Sequence, residues 1–116
     1  MKLTILLASF FLLSLQSSEP GYPGGPSAWT DYLNHNLHFP VEAIENGVSG
    51  TVIVDFIVHL DSTVSDIHAV SGPKKGGLRE EAIRVITASG KWVPAVKNGS
   101  PVEAHRKEPI KFVLMK

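Results

Sequence analysis

The fold of this chain is decided by residues 39–56, which read FPVEAIENGVSGTVIVDF. Pro40 suits the first turn of a short helix, because its missing N–H would have no partner there in any case. Gly47 and Gly50 give the backbone the freedom to end a helix and turn into a sheet. The stretch therefore predicts a short helix, a glycine stop and an apolar strand. Nothing in it is catalytic, so the function depends on which surface the fold offers to a partner.

The composition limits the classes of protein to which the chain can belong. Its 116 residues suffice for one domain, and 43% hydrophobic content suffices for a core. Eleven Lys and Arg balance eleven Asp and Glu, which implies no general attraction to nucleic acid or anionic lipid. The absence of cysteine excludes a disulfide scaffold, a thiolate zinc site, a cysteine nucleophile and a lipid-modified cysteine.

The first residues are typical of a targeting segment. Lys2 precedes an apolar run over residues 3–15, after which the chain turns polar. This pattern predicts a signal peptide over residues 1–18 and an exported, soluble mature protein. The alternative is an uncleaved anchor in the inner membrane, although the run would span only about 20 Å of a hydrocarbon layer of about 30 Å. Residues 19–26 then form a Pro/Gly linker and residues 27–116 the domain.

The periodicity of apolar residues predicts the elements of that domain. Helices are expected at residues 27–36 and 40–47, then a hairpin of strands at 51–60 and 64–71, a helix at 78–89 and a strand at 102–114. The alternation of the second strand is imperfect, which indicates a bulge. Two sets of side chains are predicted to face the core: Val52, Val54, Phe56, Val58 and Leu60 of the first strand, and Leu78, Ala82, Ile83 and Ile86 of the third helix.

Chain direction then fixes the topology of the sheet. The hairpin makes the first two strands antiparallel, and the crossing helix returns the chain so that the third strand lies antiparallel beside the first. The predicted fold class is α+β, with a three-stranded antiparallel sheet in the order 2-1-3, an amphipathic helix packed on it and one or two short N-terminal helices. The last strand lies at an edge, where its N–H and C=O groups are open.

Several short motifs, taken in order and spacing, resemble the TonB carboxy-terminal domain family over residues 22–114. They are YPGGPxAWxxYLxxNL at 22–37, FPxxAxxxGxxGxVxVxF at 39–56, LxxEAxRV at 78–85, GKWxPA at 90–95, NGxPV at 98–102 and PIxF at 109–112. The resemblance implies a periplasmic α+β domain that grips an extended peptide, the TonB box of an outer-membrane receptor. In that family the peptide adds as a strand to the last strand, and an inner-membrane motor complex supplies energy.

Carried over by position, the resemblance assigns a peptide-binding edge at residues 102–114 with a neighbouring segment before the second helix. The partner-binding residues are then Val102, Ala104, Arg106, Glu108, Ile110, Phe112 and Leu114, together with Leu37, Phe39 and Pro40.

Three features of the chain depart from a full transducer of that family. The apolar run is too short for its membrane-spanning helix, and the linker of about ten residues reaches at most about 35 Å. The last strand is also unusually polar, and charges on an edge are a standard defence against unwanted pairing. The resemblance therefore implies the binding domain without the machinery that transmits force.

Other groups of residues suggest competing functions that the pattern does not favour. His35 and His38 lack a third metal ligand, and Asp55, Asp61 and Asp66 have no nucleophile candidate nearby. The loop at residues 72–77 lacks the arrangement of a phosphate-binding loop, and the two tryptophans are expected to close the core. We therefore expect no enzyme, cofactor or metal site. A peptide-binding module is favoured, and self-association through the same edge as a homodimer is the alternative.

Overall fold

The computed structural model describes residues 16–114. The predicted leader lies outside these residues apart from positions 16–18. Three helices and five strands follow one another along the described part of the chain. They are α1 (Gly25–Asn36), α2 (Val41–Asn46), β1 (Gly50–Val58), β2 (Val64–Ser71), α3 (Leu78–Thr87), β3 (Ala95–Lys97), β4 (Ser100–Val102) and β5 (Ala104–Phe112). None of the helices found in residues 16–114 is long and apolar enough to cross a membrane.

The main sheet confirms the predicted α+β fold and strand order. It has three strands in the order β2-β1-β5, and β1 is antiparallel to both neighbours. The ladder between β1 and β5 runs without a register shift from the pair Gly50 and Phe112 to the pair Val58 and Ala104. Because side chains alternate along a strand, the even-numbered residues of both strands share the inner face, against which α3 packs.

The hydrophobic core lies between that inner face and the helices. Its largest fully buried side chain belongs to Trp92, and the ring of Phe56 lies 4.9 Å from it between centroids. Trp29 is also buried, so the expectation that the tryptophans close the core is confirmed. The other members of the core cluster are Ala43, Val52, Val54, Val58, Leu78, Ala82, Val85, Ile86, Ile110 and Phe112.

The bulge predicted in the second strand is confirmed. The register between β1 and β2 shifts between Ile53 and Val54 and again between Asp55 and Ile57. Asp66 of β2 adopts a left-handed backbone with φ of 55°, which is uncommon for a residue with a side chain. β2 therefore leaves the regular alternation, and Val70 is 46% exposed instead of facing the core.

Several predicted boundaries and core positions were wrong. Leu60 is 62% exposed, because the chain has already entered the hairpin turn in which the His59 N–H donates to the Thr63 carbonyl. On α3 Val85 is buried although it was not predicted to be, whereas Ile83, which was predicted to face the core, is only partly buried. Pro40 precedes α2 as its N-cap, and Gly47 ends the helix in the left-handed conformation as expected.

The predicted last strand is divided into two elements. Asn98 and Gly99 have φ angles of 51° and 81°, which suit a tight two-residue hairpin turn between β3 and β4. Val102 therefore pairs with Ala95 in a separate two-stranded sheet, and only β5 joins the main sheet. Leu114 follows the end of β5.

The segment before α1 lies against the domain. The N–H groups and carbonyls of Ser18 and Val96 exchange hydrogen bonds of 2.8 and 2.9 Å, and those of Gly21 and Val93 exchange bonds of 2.7 and 3.0 Å. Residues 16–21 thus form an extended strap along the segment that contains β3, although residues 19–26 were predicted as a linker without regular structure. The strap brings Tyr22 to within 5.4 Å of Trp92, measured between ring centroids.

Candidate functional site

The edge of the main sheet at β5 is open. Within residues 16–114, β5 has β1 on one side and no strand on the other. Among the backbone hydrogen bonds of residues 16–114 outside the strand ladders, none involves an atom of β5. The N–H and C=O groups on its outer side are therefore available to another chain.

Pro109 shows which backbone groups of β5 are open. It lies opposite Ile53 in the regular ladder, and a proline has no N–H to exchange in a hydrogen-bonded pair. Pro109 and Ile53 must therefore form a non-hydrogen-bonded pair, which is where a proline is tolerated at an edge. Hydrogen-bonded and non-hydrogen-bonded pairs alternate along an antiparallel ladder. The even-numbered residues of β5 therefore form the backbone hydrogen bonds to β1. The open groups are the N–H of His105, Lys107 and Lys111, and the carbonyls of these residues and of Pro109.

The opposite edge of the sheet is less suited to pairing. β2 carries two register shifts and the left-handed Asp66, so its outer groups do not form a regular row. Bulges of this kind are a common way of protecting an edge. β5 is therefore the regular edge of the main sheet.

A groove runs along the open edge, and we call it the edge groove. It consists of three cavities of about 390, 390 and 300 Å³, which share lining residues from one to the next. The first lies between the strap and the start of β5, and Pro20 and Ala104 line it. Tyr22 and Trp92 line the second, and Leu33 of α1 and Leu37, which follows α1, line the third. Trp29 lines both of these, so the inner wall of the groove is aromatic and aliphatic.

An ion pair on the inner face connects β5 to the strap. The Arg106 guanidinium donates to the Glu108 carboxylate from Nη2 at 2.8 Å and from Nε at 3.1 Å, and Nη1 donates to the Pro20 carbonyl at 3.1 Å. The Glu108 side chain is only 8% exposed. A carboxylate at this depth is stable because it is paired and hydrogen-bonded. Arg106 thus fixes the strap beside the edge groove.

A second ion pair positions the chain between α1 and α2. Glu81 accepts a 2.7 Å hydrogen bond from the backbone N–H of His38 and pairs with Arg84, which also donates to the Asn36 carbonyl at 2.7 Å. Burial alone would raise the pKa of Glu81, but the hydrogen bonds from Arg84 and His38 outweigh it and lower that pKa. The hydrogen bond with Glu81 raises the pKa of Arg84. This clamp holds Leu37 and Phe39 in place at one end of the edge groove.

The hydroxyl of Tyr32 fixes α1 against α3. It donates a 2.7 Å hydrogen bond to the Val85 carbonyl, and burial raises the pKa of this phenol. The ring also stacks on Trp29 with 5.3 Å between centroids. The helix that contributes Trp29 and Leu33 to the inner wall of the groove is therefore held by both a polar contact and an aromatic contact.

The outer face of β5 is cationic. His105, Lys107, Pro109 and Lys111 are exposed there. The His105 ring lies 2.7 Å from the buried Asp55 carboxylate through Nδ1. Neither Lys107 nor Lys111 forms a salt bridge within residues 16–114.

A third polar cluster lies at the beginning of β5. His59 hydrogen-bonds through Nδ1 to Glu103 and through Nε2 to Ser65. The Glu103 side chain is 57% exposed, so this cluster lies on the surface. It connects the turn after β1 to the junction between β4 and β5. Within the described residues, no three His, Asp or Glu side chains come together as metal ligands.

The structure distributes the sequence-predicted site residues over several elements. The even-numbered residues of β5 face inward and bond to β1, Val102 lies on β4, and Leu114 follows β5. Phe39 packs on Phe112 with 5.7 Å between ring centroids. Sequence reasoning omitted the odd-numbered residues of β5, which carry the open backbone groups. Pro109 is the residue in the sequence that could have identified them. A proline inside a strand is tolerated where its nitrogen faces away from the neighbouring strand, so residues of the same parity carry the open groups.

Comparisons with known proteins agree with this architecture. The sequence model of the Gram-negative bacterial TonB protein C-terminal family matches residues 35–114. The solution structure of the Helicobacter pylori TonB C-terminal domain resembles the chain with a TM-score of 0.57 and 23% sequence identity. The match covers 75% of this chain and 78% of the Helicobacter pylori chain. This likeness shows a shared fold. A search of curated protein sequences gives no significant match.

Proposed function

The chain belongs to the TonB C-terminal domain family, and we propose that it binds extended peptide segments of outer-membrane receptors by strand addition to β5. Domains of this family are periplasmic protein-interaction domains without enzymatic activity, and they act with outer-membrane receptors in transport across that membrane. The finer proposal concerns the mode of binding and the kind of segment bound, which is of the TonB-box type.

The observation that carries the proposal is the open, regular edge of β5. A guest strand placed there would pair with the open groups of His105, Lys107 and Lys111 and with the Pro109 carbonyl. About seven hydrogen bonds at about 1 kcal/mol each must also offset the costs of association and ordering. Backbone pairing alone therefore supports an affinity no tighter than micromolar.

The edge groove provides the additional contacts. Alternate side chains of a guest strand would point inward, towards the wall formed by Trp29, Leu33 and Leu37. Burial of apolar guest side chains at this wall would add about 25 cal/mol per Å². The proposed function thus combines a backbone template with side-chain pockets.

The test is to titrate the isotope-labelled protein with TonB-box peptides from outer-membrane receptors of the same bacterium and to measure amide hydrogen exchange. We expect exchange to slow at His105, Lys107 and Lys111 when peptide binds, because these N–H groups become hydrogen-bonded. The amides of Arg106 and Glu108 already bond to β1 and should change little. A peptide N-methylated at the pairing residues is the matched control.

Two outcomes would contradict the proposal. One is the absence of any change along β5 at millimolar peptide. The other is protection that develops on β2 instead of β5, which would place the guest on the other edge.

Location in the periplasm after removal of a leader over residues 1–18 is part of the same proposal, and an uncleaved anchor is its alternative. Export would bring the domain to the compartment in which receptor segments are accessible. Sequencing the amino terminus of the protein recovered from cells separates the two. A mature terminus near Ser18 supports the free form, whereas an intact Met1 in the membrane fraction supports the anchored form.

A further inference from the structure

We propose that the β5 edge selects guest strands that carry two carboxylates four residues apart, placed opposite Lys107 and Lys111. Apolar side chains occupy the guest positions opposite Glu108 and Ile110, where they enter the edge groove. This inference rests on the proposed function, since it specifies which extended peptide is bound.

The charges on the outer face carry the argument. Lys107 and Lys111 are both exposed and have no salt-bridge partner among the described residues. The residue of β1 opposite Lys111 is Thr51, which is neutral, and the residue opposite Lys107 is Asp55, which is bonded to His105. Within the part of the chain that the structure describes, no carboxylate lies directly across the strands from Lys111. A guest strand on the open side of β5 would supply one.

The surroundings of the two lysines differ in a second respect. Glu19 of the strap and Asp55 line one cavity together with Lys107, which places two acidic residues in the surroundings of this lysine. No acidic residue of the outer face lies opposite Lys111 in the ladder. A guest carboxylate should therefore gain more from Lys111 than from Lys107.

The spacing follows from the geometry of the strand. Residues two apart on a strand share a face, so Lys107, Pro109 and Lys111 all project outward. A paired guest has the same period, and its residues opposite the two lysines are also four apart. Opposite charges placed directly across a strand pair contribute enough for about two- to thirty-fold tighter binding when two such pairs form.

The same charges disfavour a second copy of this chain on the edge. A symmetric pairing of two β5 strands would bring the lysines of one copy beside those of the other, and like charges across strands are destabilising. Charge complementarity therefore favours an acidic peptide over a homodimer.

The experiment uses two capped peptides, TDVTVDT and its amide counterpart TNVTVNT, titrated into the full-length protein. Both sequences read the same in either direction, so the test does not depend on whether the guest pairs parallel or antiparallel. We expect the acidic peptide to bind about two- to thirty-fold more tightly at low salt. The advantage should fall sharply in 1 M salt, where charges are screened beyond about 3 Å.

Protein variants then locate the effect. The double substitution Lys107→Gln and Lys111→Gln should abolish the preference for the acidic peptide, because it removes both side-chain charges and keeps the backbone groups that pair. Of the two single variants, Lys111→Gln should lose more of the preference for the acidic peptide than Lys107→Gln. The control is Lys74→Gln with Lys75→Gln, which removes the same charge from the loop between β2 and α3 and should retain the preference.

The outcomes separate this inference from the proposed function. If both peptides protect the amides of His105, Lys107 and Lys111 with equal affinity, the charge rule is wrong and strand addition stands. If neither peptide protects them, strand addition itself fails. If these amides become protected with rising protein concentration and without peptide, a second copy is the occupant and the inference is overturned.

Discussion

Replacing Pro109 with alanine tests the assignment of the open backbone groups. The substitution creates an N–H at the centre of β5, and because Pro109 forms a non-hydrogen-bonded pair with Ile53, this N–H should point away from β1. A guest strand would gain one hydrogen bond, which contributes about 0.5–1.5 kcal/mol and tightens binding about two- to thirteen-fold. The free protein should become less stable by about 0.4–1 kcal/mol, because its unfolded chain gains conformational freedom.

Three measurements check this prediction on the same variant. Calorimetric titration with a receptor peptide gives the affinity, urea unfolding gives the stability, and hydrogen exchange follows the new amide at position 109. The amide should exchange rapidly in the free protein and slowly in the complex. Pro101→Ala on β4 is the matched control and should leave the affinity unchanged, because that strand belongs to the other sheet. Protection of the new amide without peptide would refute the reasoning, since it would mean that the odd-numbered residues bond to β1.

Three further substitutions test the packing around the site. Trp92→Ala should lower the free energy of unfolding by about 3–5 kcal/mol in urea, because the side chain is only 1% exposed, and a loss below about 1 kcal/mol would contradict its place in the core. Gly72→Ala should cost about 1–3 kcal/mol, since φ is 121° and a Cβ would lie 2.9 Å from the neighbouring backbone, whereas Gly21→Ala, which meets nothing within 4 Å, should be neutral. Glu81→Gln should cost about 1–2 kcal/mol at pH 7 by weakening the clamp with Arg84. Because folding lowers the pKa of Glu81, this stabilisation is present above the unfolded pKa of about 4.5 and is lost as the pH falls through the lower folded value. The free energies of unfolding of the variant and the parent should therefore converge in acid. A difference that stays constant with pH would contradict the assignment.

The topology could be predicted because it depends on residues that are close in sequence. Gly47 and Gly50 set the entry to β1, and the apolar alternation from Val52 onward fixes which face is buried. A hairpin followed by a crossing helix leaves few ways to add the final strand. The order of the sheet therefore followed from local signals.

The division of the last strand could not be predicted in the same way. The run from Val102 to Phe112 has no glycine to mark a break, and the break after Val102 arises from the tight Asn98–Gly99 turn. The consequence of that turn depends on Ala95 being available as a partner for Val102. Such a contact becomes visible only when the chain has folded.

The walls of the edge groove could not be predicted from the sequence either. The strap was read as a linker because residues 19–26 are rich in proline and glycine, yet its backbone pairs with Val93 and Val96. The Arg106 guanidinium then connects it to β5 across a long separation in sequence. Propensity describes what a segment does alone, whereas the strap is held by groups contributed from elsewhere in the chain.

Removal of the proposed leader would change the contacts of the strap, because Ser18 pairs with Val96. A peptidase that cuts after Ser18 would release both hydrogen bonds between these residues together with the leader, whereas the pair of Gly21 and Val93 would survive. The new amino terminus would be Glu19, with a positive charge placed beside the acidic side chain that lines the cavity next to Lys107. Removal of the leader would thus change the electrostatic potential at one end of the edge groove, which Glu19 lines, so that the two forms of the protein would differ in their preference for ligands.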